Sequence, residues 1–240
     1  MGDDGTNRTV RAAWILTTGI VLASIILGGS FYTARSARST VQVVGMASQP
    51  FEADMVKWSL SVSRTVPVLD LRSGYEQIGL DVDRILTGFT EVGLPDSAIR
   101  LQPVTTNPLY GPDGVRDYQV NQSLFLISED LTGVERLALD PAGLLGEGVL
   151  LQSSQLEYFY SGLAAVKRSL LARATEDARM RAEEIASATN ESIGGIVSAR
   201  AGVFQITEPY STETAAYGVY NTSSREKQIR VTLHAVFRLD

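Results

Sequence analysis

The order of elements predicts an α+β fold: a largely antiparallel sheet with packed helices, β-β-α-β-β-α-β-α-β-β, preceded by one N-terminal transmembrane helix. Three observations lead to it. Alternating apolar runs come in neighbouring pairs joined by turn residues, as hairpin strands do. Segments with apolar residues at three- and four-residue steps interrupt them, as amphipathic helices do. A stretch near the N-terminus, from Ala12 to Ala34, carries no charge over 23 positions.

That stretch, AAWILTTGIVLASIILGGSFYTA, would reach about 34 Å as a helix, enough for a hydrocarbon core of about 30 Å. Trp14 lies at one end and Phe31 and Tyr32 at the other, where interfacial aromatics sit. The alternative is a cleaved signal peptide, with Gly28 and Ser30 placed for cleavage before Phe31. The apolar core is long for such a peptide and lacks a clean A-x-A, which favours a retained anchor. Two arginines on each flank leave the positive-inside rule undecided. The short leader favours a signal-anchor with its short end in the cytoplasm. The expected organisation is a short tail (1–11), a transmembrane helix or signal-anchor (12–34), a polar linker (35–40) and an α+β domain (41–240).

Within the domain, a strand starts at Thr40 and leads to a turn predicted at Gln49-Pro50. The next strand, to about Arg64, alternates cleanly: Val56, Trp58, Leu60 and Val62 share one face. A helix from Pro67 follows, with Leu71, Tyr75, Ile78, Val82, Ile85 or Leu86, and Phe89 recurring at three- and four-residue steps, stopped by Gly93 and Pro95. Strands at Ile99–Thr106 and Val115–Ser128 flank the turn cluster NPLYGPDG. A short helix at Leu131–Leu139 precedes Pro141, and a strand runs from Val149 to Tyr160. The longest helix spans 162–191, with a narrow stripe of Val166, Leu170, Ala174, Ala178, Ala182 and Ile185. Two strands close the chain, Ile196–Thr207 and Glu226–Leu239, around the polar loop EPYSTETAAYGVYNTSS.

Composition narrows the function. With 44% hydrophobic residues and 240 positions, the chain is ample for a core. Residues 1–40 carry +2 of a net −6, so the body is acidic, which argues against nucleic acid as a partner. No cysteine means no disulfide, thiolate metal site or cysteine nucleophile. The single histidine, His234, falls on the outward face of the last strand, opposite Val231, Leu233, Ala235 and Phe237. That placement argues against a histidine triad or metal site. The carboxylates Asp81 and Asp83, Glu183 and Glu184, and Glu52 and Asp54 read more simply as solvated surface charges. No phosphate-binding loop occurs. The chain is therefore expected to be non-enzymatic, with no cofactor and no metal.

The stretch VQVVGMASQPFEADMVKWSLSV resembles the opening hairpin of the SIMPL-domain family, and the Asp54…Trp58 pairing resembles its membrane-anchored subgroup. The alanine-rich helix in LLARATEDARMRAEEIASATNESIGGIVSARAGVFQI and the closing SSREKQIRVTLHAVFRL are similar to the family as well. Gln228 departs from it, standing where a second basic residue is usual. The resemblance implies an α+β domain of poorly defined function in bacterial periplasmic, inner-membrane-anchored or outer-membrane-associated proteins. It also implies links to envelope and oxidative-stress protection, and ring- or channel-like homo-oligomers. It carries over no catalytic residue.

The expected role is a single-pass, extracytoplasmic protein of the bacterial inner membrane that works through ring- or cage-like homo-oligomeric assembly. Tyr210, Tyr217 and Tyr220 are its candidate interface residues, and Asp54 and Trp58 its structural signature. Two alternatives stand beside it: a monomeric tethered ligand-binding or scaffold domain, and a carboxylate-dependent hydrolase using Asp54.

Overall fold

The computed structural model describes residues 4–35 and 39–240, and in the first helix the side chains of Trp14 and residues 16–30. Helix α1 (Asp4–Arg35) takes up the uncharged segment. Among the described residues no helix is long and apolar enough to cross a membrane. The span predicted over 12–34 lies partly outside the described side chains.

The chain is α+β with antiparallel sheets, as its sequence predicts, but the strands form two five-stranded sheets rather than one. It divides into two compact units, and several elements supply residues to both. The larger comprises Val44–Met180 and Arg200–His234; the smaller takes the residues up to Val43, Arg181–Ala199 and Ala235–Asp240.

The larger unit contains the whole of one sheet. Strand β1 (Thr40–Glu52) is followed at once by β2 (Met55–Pro67), the central strand of that sheet. Helix α2 (Leu71–Glu91) comes next, then β3 (Ile99–Leu101), β4 (Thr105–Gly111), β5 (Gly114–Ser128), α3 (Leu131–Leu139) and β6 (Leu150–Phe159). Strand β2 pairs antiparallel with β5 on one side and β6 on the other. The period-two pattern predicted for β2 places Val56, Trp58, Leu60 and Val62 in the core, where Ile78, Val82, Ile85 and Phe89 of α2 join them. Trp58 is 1% exposed; its ring lies 5.5 Å from that of Phe89 and its Nε1 donates to Ser154 Oγ at 2.9 Å. It is a core anchor, large enough to fix how α2 sits on the sheet.

The remaining elements are α4 (Leu163–Ala188), β7 (Ile193–Ala201), β8 (Gln205–Thr207), β9 (Val219–Tyr220) and β10 (Glu226–Leu239). The four strands among them join β1 in the second sheet, ordered β1-β10-β8-β9 with β7 also on β10. In the larger unit, Leu170, Ala174 and Ala178 of α4 are buried, and α4 comes close to β1 at Gly45. A Cβ at 45 would strike the Ala174 carbonyl and approach Ala178 N to 2.5 Å, so only glycine fits there. In the smaller unit the buried set is Val41, Val43, Ala182, Ala186, Ala235 and Phe237. Ser192 and Asp240 exchange backbone hydrogen bonds at 2.9 and 3.2 Å.

The structure corrects several expectations. Gln49-Pro50 is no turn: β1 continues through it, because β1 is an edge strand and an edge tolerates a missing N–H. The reversal falls at Ala53-Asp54. The strand predicted at 99–106 divides at Gln102–Val104, and that at 196–207 divides at Gly202–Phe204. Ile185 is exposed and Ala186 buried in its place, since α4 keeps a strict four-residue stripe.

Candidate functional site: an exposed tyrosine loop and its anchoring cluster

Residues 208–225 are polar and offer little apolar weight to fold on, yet side chains hold both ends of the loop. Gln205, which begins β8, clasps Ala215: its Nε2 donates to the Ala215 carbonyl at 2.8 Å and its Oε1 accepts from the Ala215 N–H at 3.4 Å. Asn221 Oδ1 accepts the N–H groups of Ser223 at 2.9 Å and Ser224 at 3.3 Å, a local side-chain turn. The Asn221 N–H donates to the Ile206 carbonyl at 2.9 Å, and β9 pairs in parallel with β8. Gly218 turns at φ 90°, where a Cβ would meet the Phe204 carbonyl at 2.8 Å.

On this loop Tyr210 and Tyr217 are each 98% exposed. Tyr210 sits at φ 63°, a left-handed conformation that a bulky residue adopts at a cost. Tyr220 is less exposed, at 42%. Its ring lies 6.3 Å from Phe159, and burial raises its hydroxyl pKa; a hydrogen bond with the Tyr160 backbone lowers it, and the Asp54 charge adds to the rise.

The acidic stretch that opens β2 belongs to the same region. The Ala53 N–H donates to the Arg225 carbonyl and the Asp54 N–H to the Phe159 carbonyl, both at 3.0 Å. Asp54 does not act as a free charge. Its Oδ1 accepts from Ser161 N at 2.8 Å and its Oδ2 from Ser161 Oγ at 2.5 Å, which ties the start of β2 to the second residue after β6. Glu52 is ion-paired with Arg225 at 2.6 Å, and Arg225 also reaches Glu135 at 3.4 Å. Those carboxylates raise the Arg225 pKa, chiefly through the Glu52 hydrogen bond. Tyr158 donates its hydroxyl to Glu135 Oε1 at 2.9 Å; burial first, then that bond, pushes its pKa up to about 12. The Tyr158 N–H meanwhile holds the Thr222 carbonyl at 2.7 Å.

Lys227 is fully buried at the base of the loop, and its Nζ donates to the Asn221 carbonyl at 2.5 Å. Burial pulls its pKa down to about 8. Sequence reasoning missed this residue, although a signal exists: Lys227 stands two positions before Ile229 and so shares the inward register of β10. Asp81, expected in solvent, is also buried. It forms a two-pronged pair with Arg64, whose Nη2 donates to Asp81 Oδ1 at 2.8 Å and to the Glu147 carbonyl at 2.9 Å. The hydrogen bond to Asp81 raises the Arg64 pKa. His234 is exposed, as its strand register predicts. Among the described residues no group of His, Asp and Glu could hold a metal ion.

These features define a class: an α+β domain of two largely antiparallel sheets, with a partly buried polar cluster at the base of a tyrosine-bearing loop. The chain belongs to the SIMPL family, whose model, described as a protein of unknown function (DUF541), matches residues 41–237. That match covers both hairpin and helix segments that resemble the family in sequence. No curated protein matches the chain.

Proposed function

We propose that this SIMPL protein is a non-enzymatic, membrane-anchored extracytoplasmic protein of the bacterial envelope that works by homo-oligomeric assembly into a ring or cage. The observation that carries this reading is the pair Tyr210 and Tyr217, each 98% exposed on a loop whose ends are tied down. A floppy loop would lose the ordering entropy on binding, whereas a pre-ordered one spends little of its contact energy on it. Exposed tyrosines of this kind suit an interface core. Strand β7 supports the reading separately, because residues 195–201 are exposed on both faces, Ile196 and Val197 among them.

The anchor rests on α1. From Leu16 to Ser30 every side chain is exposed, and that stretch is uncharged. An uncharged helix with its apolar side chains bare on all sides suits lipid. Anchoring concentrates copies in two dimensions and strengthens weak contacts between domains. Size-exclusion chromatography with light scattering on the detergent-purified full chain tests the proposal. The expected result is a multimer that Tyr210→Ser/Tyr217→Ser reduces in mass while the melting curve holds. A monomer at every concentration refutes it.

A further inference from the structure

A cleft of about 530 Å³ opens within the larger unit, and nothing in the assembly reading uses it. Its floor is the outward face of β10, with Arg230 and Thr232; Met46 of β1 and Val203, just before β8, flank them, and Thr214 and Ala216 of the tyrosine loop form a wall. The size lies within the range of small-molecule sites. Gly202 keeps the floor open: a Cβ there would come within 2.6 Å of Thr232 Oγ1.

The cation in this cleft is unmatched. Arg64, Arg72, Arg116 and Arg225 each face a carboxylate. Arg230 is half-buried, its backbone lies in the ladder opposite Gln205, and among the described residues its side chain makes no ion pair or hydrogen bond. A guanidinium offers five donors in a planar fork and no acceptor, so a carboxylate is its natural complement. Arg230 is the one charged residue of the lining; beside it stand Arg200, next to Ala201, Glu213, next to Thr214, and Asp177, whose Oδ2 accepts from the Met46 N–H at 2.7 Å. Within the lining one guanidinium stands beside two hydroxyls, which suits a single carboxylate, and the Asp177 carboxylate at the Met46 N–H disfavours a second negative charge. Met46, Val203 and Ala216 then offer an apolar wall to whatever follows the anion.

We propose that this cleft binds a small amphipathic monocarboxylate, its carboxylate on the Arg230 guanidinium and the Thr232 hydroxyl and its short alkyl body against Met46 and Val203. The inference is drawn from the residues of one chain and does not rest on the assembly reading.

Calorimetric titration of the full chain in lipid nanodiscs tests it, with empty nanodiscs subtracted. The probes are hexanoate, hexan-1-ol and inorganic phosphate. Hexanoate is expected to saturate at one per chain, and both comparison probes to bind at least tenfold more weakly. Arg230→Gln should weaken hexanoate at least tenfold, and Gly202→Val, which fills the floor, should do the same by occupying the space. Arg230→Lys, a point charge without the fork, should fall between. Circular dichroism and light scattering on each variant report fold and assembly, which are expected to stay unchanged. Unaltered hexanoate affinity in Arg230→Gln overturns the proposal, as do equal binding of hexan-1-ol or phosphate and absence of saturable heat. A fall in oligomer mass for Arg230→Gln with unchanged hexanoate heat would assign the cleft to a second copy and equally overturn it.

Discussion

Replacing Lys227 by methionine should stabilise the protein near neutral pH, and that gain should vanish in mild alkali. The lysine is fully buried, its Nζ satisfied only by the Asn221 carbonyl, and its pKa is pulled down to about 8 by burial. In the unfolded chain a lysine titrates near about 10.4. Between those two values the unfolded state holds more protons than the folded one, so stability rises with pH across that window. Below pH 8 the full penalty of the buried charge is present; above about 10.4 it is gone. At about 1.4 kcal/mol per pKa unit the penalty is on the order of 3 kcal/mol. Methionine removes the penalty but leaves the Asn221 carbonyl unpaired, which costs about 1–3 kcal/mol at every pH. The expected net gain at pH 7 is therefore about 0–2 kcal/mol. The difference between wild type and variant should move by about 3 kcal/mol in favour of the wild type from pH 7.5 to 10.5. Urea unfolding followed by tryptophan fluorescence at half-unit pH steps measures it. Tyrosine ionisation is common to both proteins and cancels in the difference. Parallel profiles would refute the reasoning, since a solvated ammonium has no such slope.

Trp58→Ala should cost about 3–5 kcal/mol, seen as a lower urea midpoint, because the ring is enclosed and would leave a cavity against Phe89; a loss under about 1 kcal/mol would place the ring outside the core. Asp81→Ala should cost about 3–5 kcal/mol by stranding the Arg64 guanidinium, and the double change Arg64→Met/Asp81→Leu should recover much of it in thermal melts. A double variant as unstable as the single one would argue against an ion-pair origin. Asp54→Asn should lower stability by about 1–3 kcal/mol, since both carboxylate oxygens accept from Ser161. If instead stability is untouched while a hydrolytic activity disappears, Asp54 belongs to an active site.

Much of the scaffold is legible in the sequence where one period governs. Strand β10 runs from Glu226 to Leu239 and α3 from Leu131 to Leu139, as the patterns predict, because apolar residues repeat along their inner faces, from Ile229 to Phe237 in β10. Breaks in long strands were less legible. Pro50 reads as a turn, yet an edge position has no ladder partner for it to offend, while Pro103 does fall at a break between β3 and β4. The buried and paired polar residues are least legible, since each is explained by a partner that no periodicity points to. Asp81 faces inward because Arg64, 17 residues earlier, meets it there. Glu52 is fixed by Arg225 across 173 positions. A lysine is ordinarily taken for surface, so the inward parity of Lys227 carries no weight until Asn221 is seen at its tip.

The clasp of Gln205 on Ala215 has a practical consequence. It closes the excursion at its neck, so the sheet senses only the two ends, and the chain between can change length cheaply: doubling a loop costs about 0.6 kcal/mol in closure entropy. Changes of length at the tip are thus tolerated by the fold even where they alter what the tip contacts, and it offers a site for a reporter. With no cysteine anywhere in the chain, Thr212→Cys would install a single addressable thiol there, between the two exposed tyrosines.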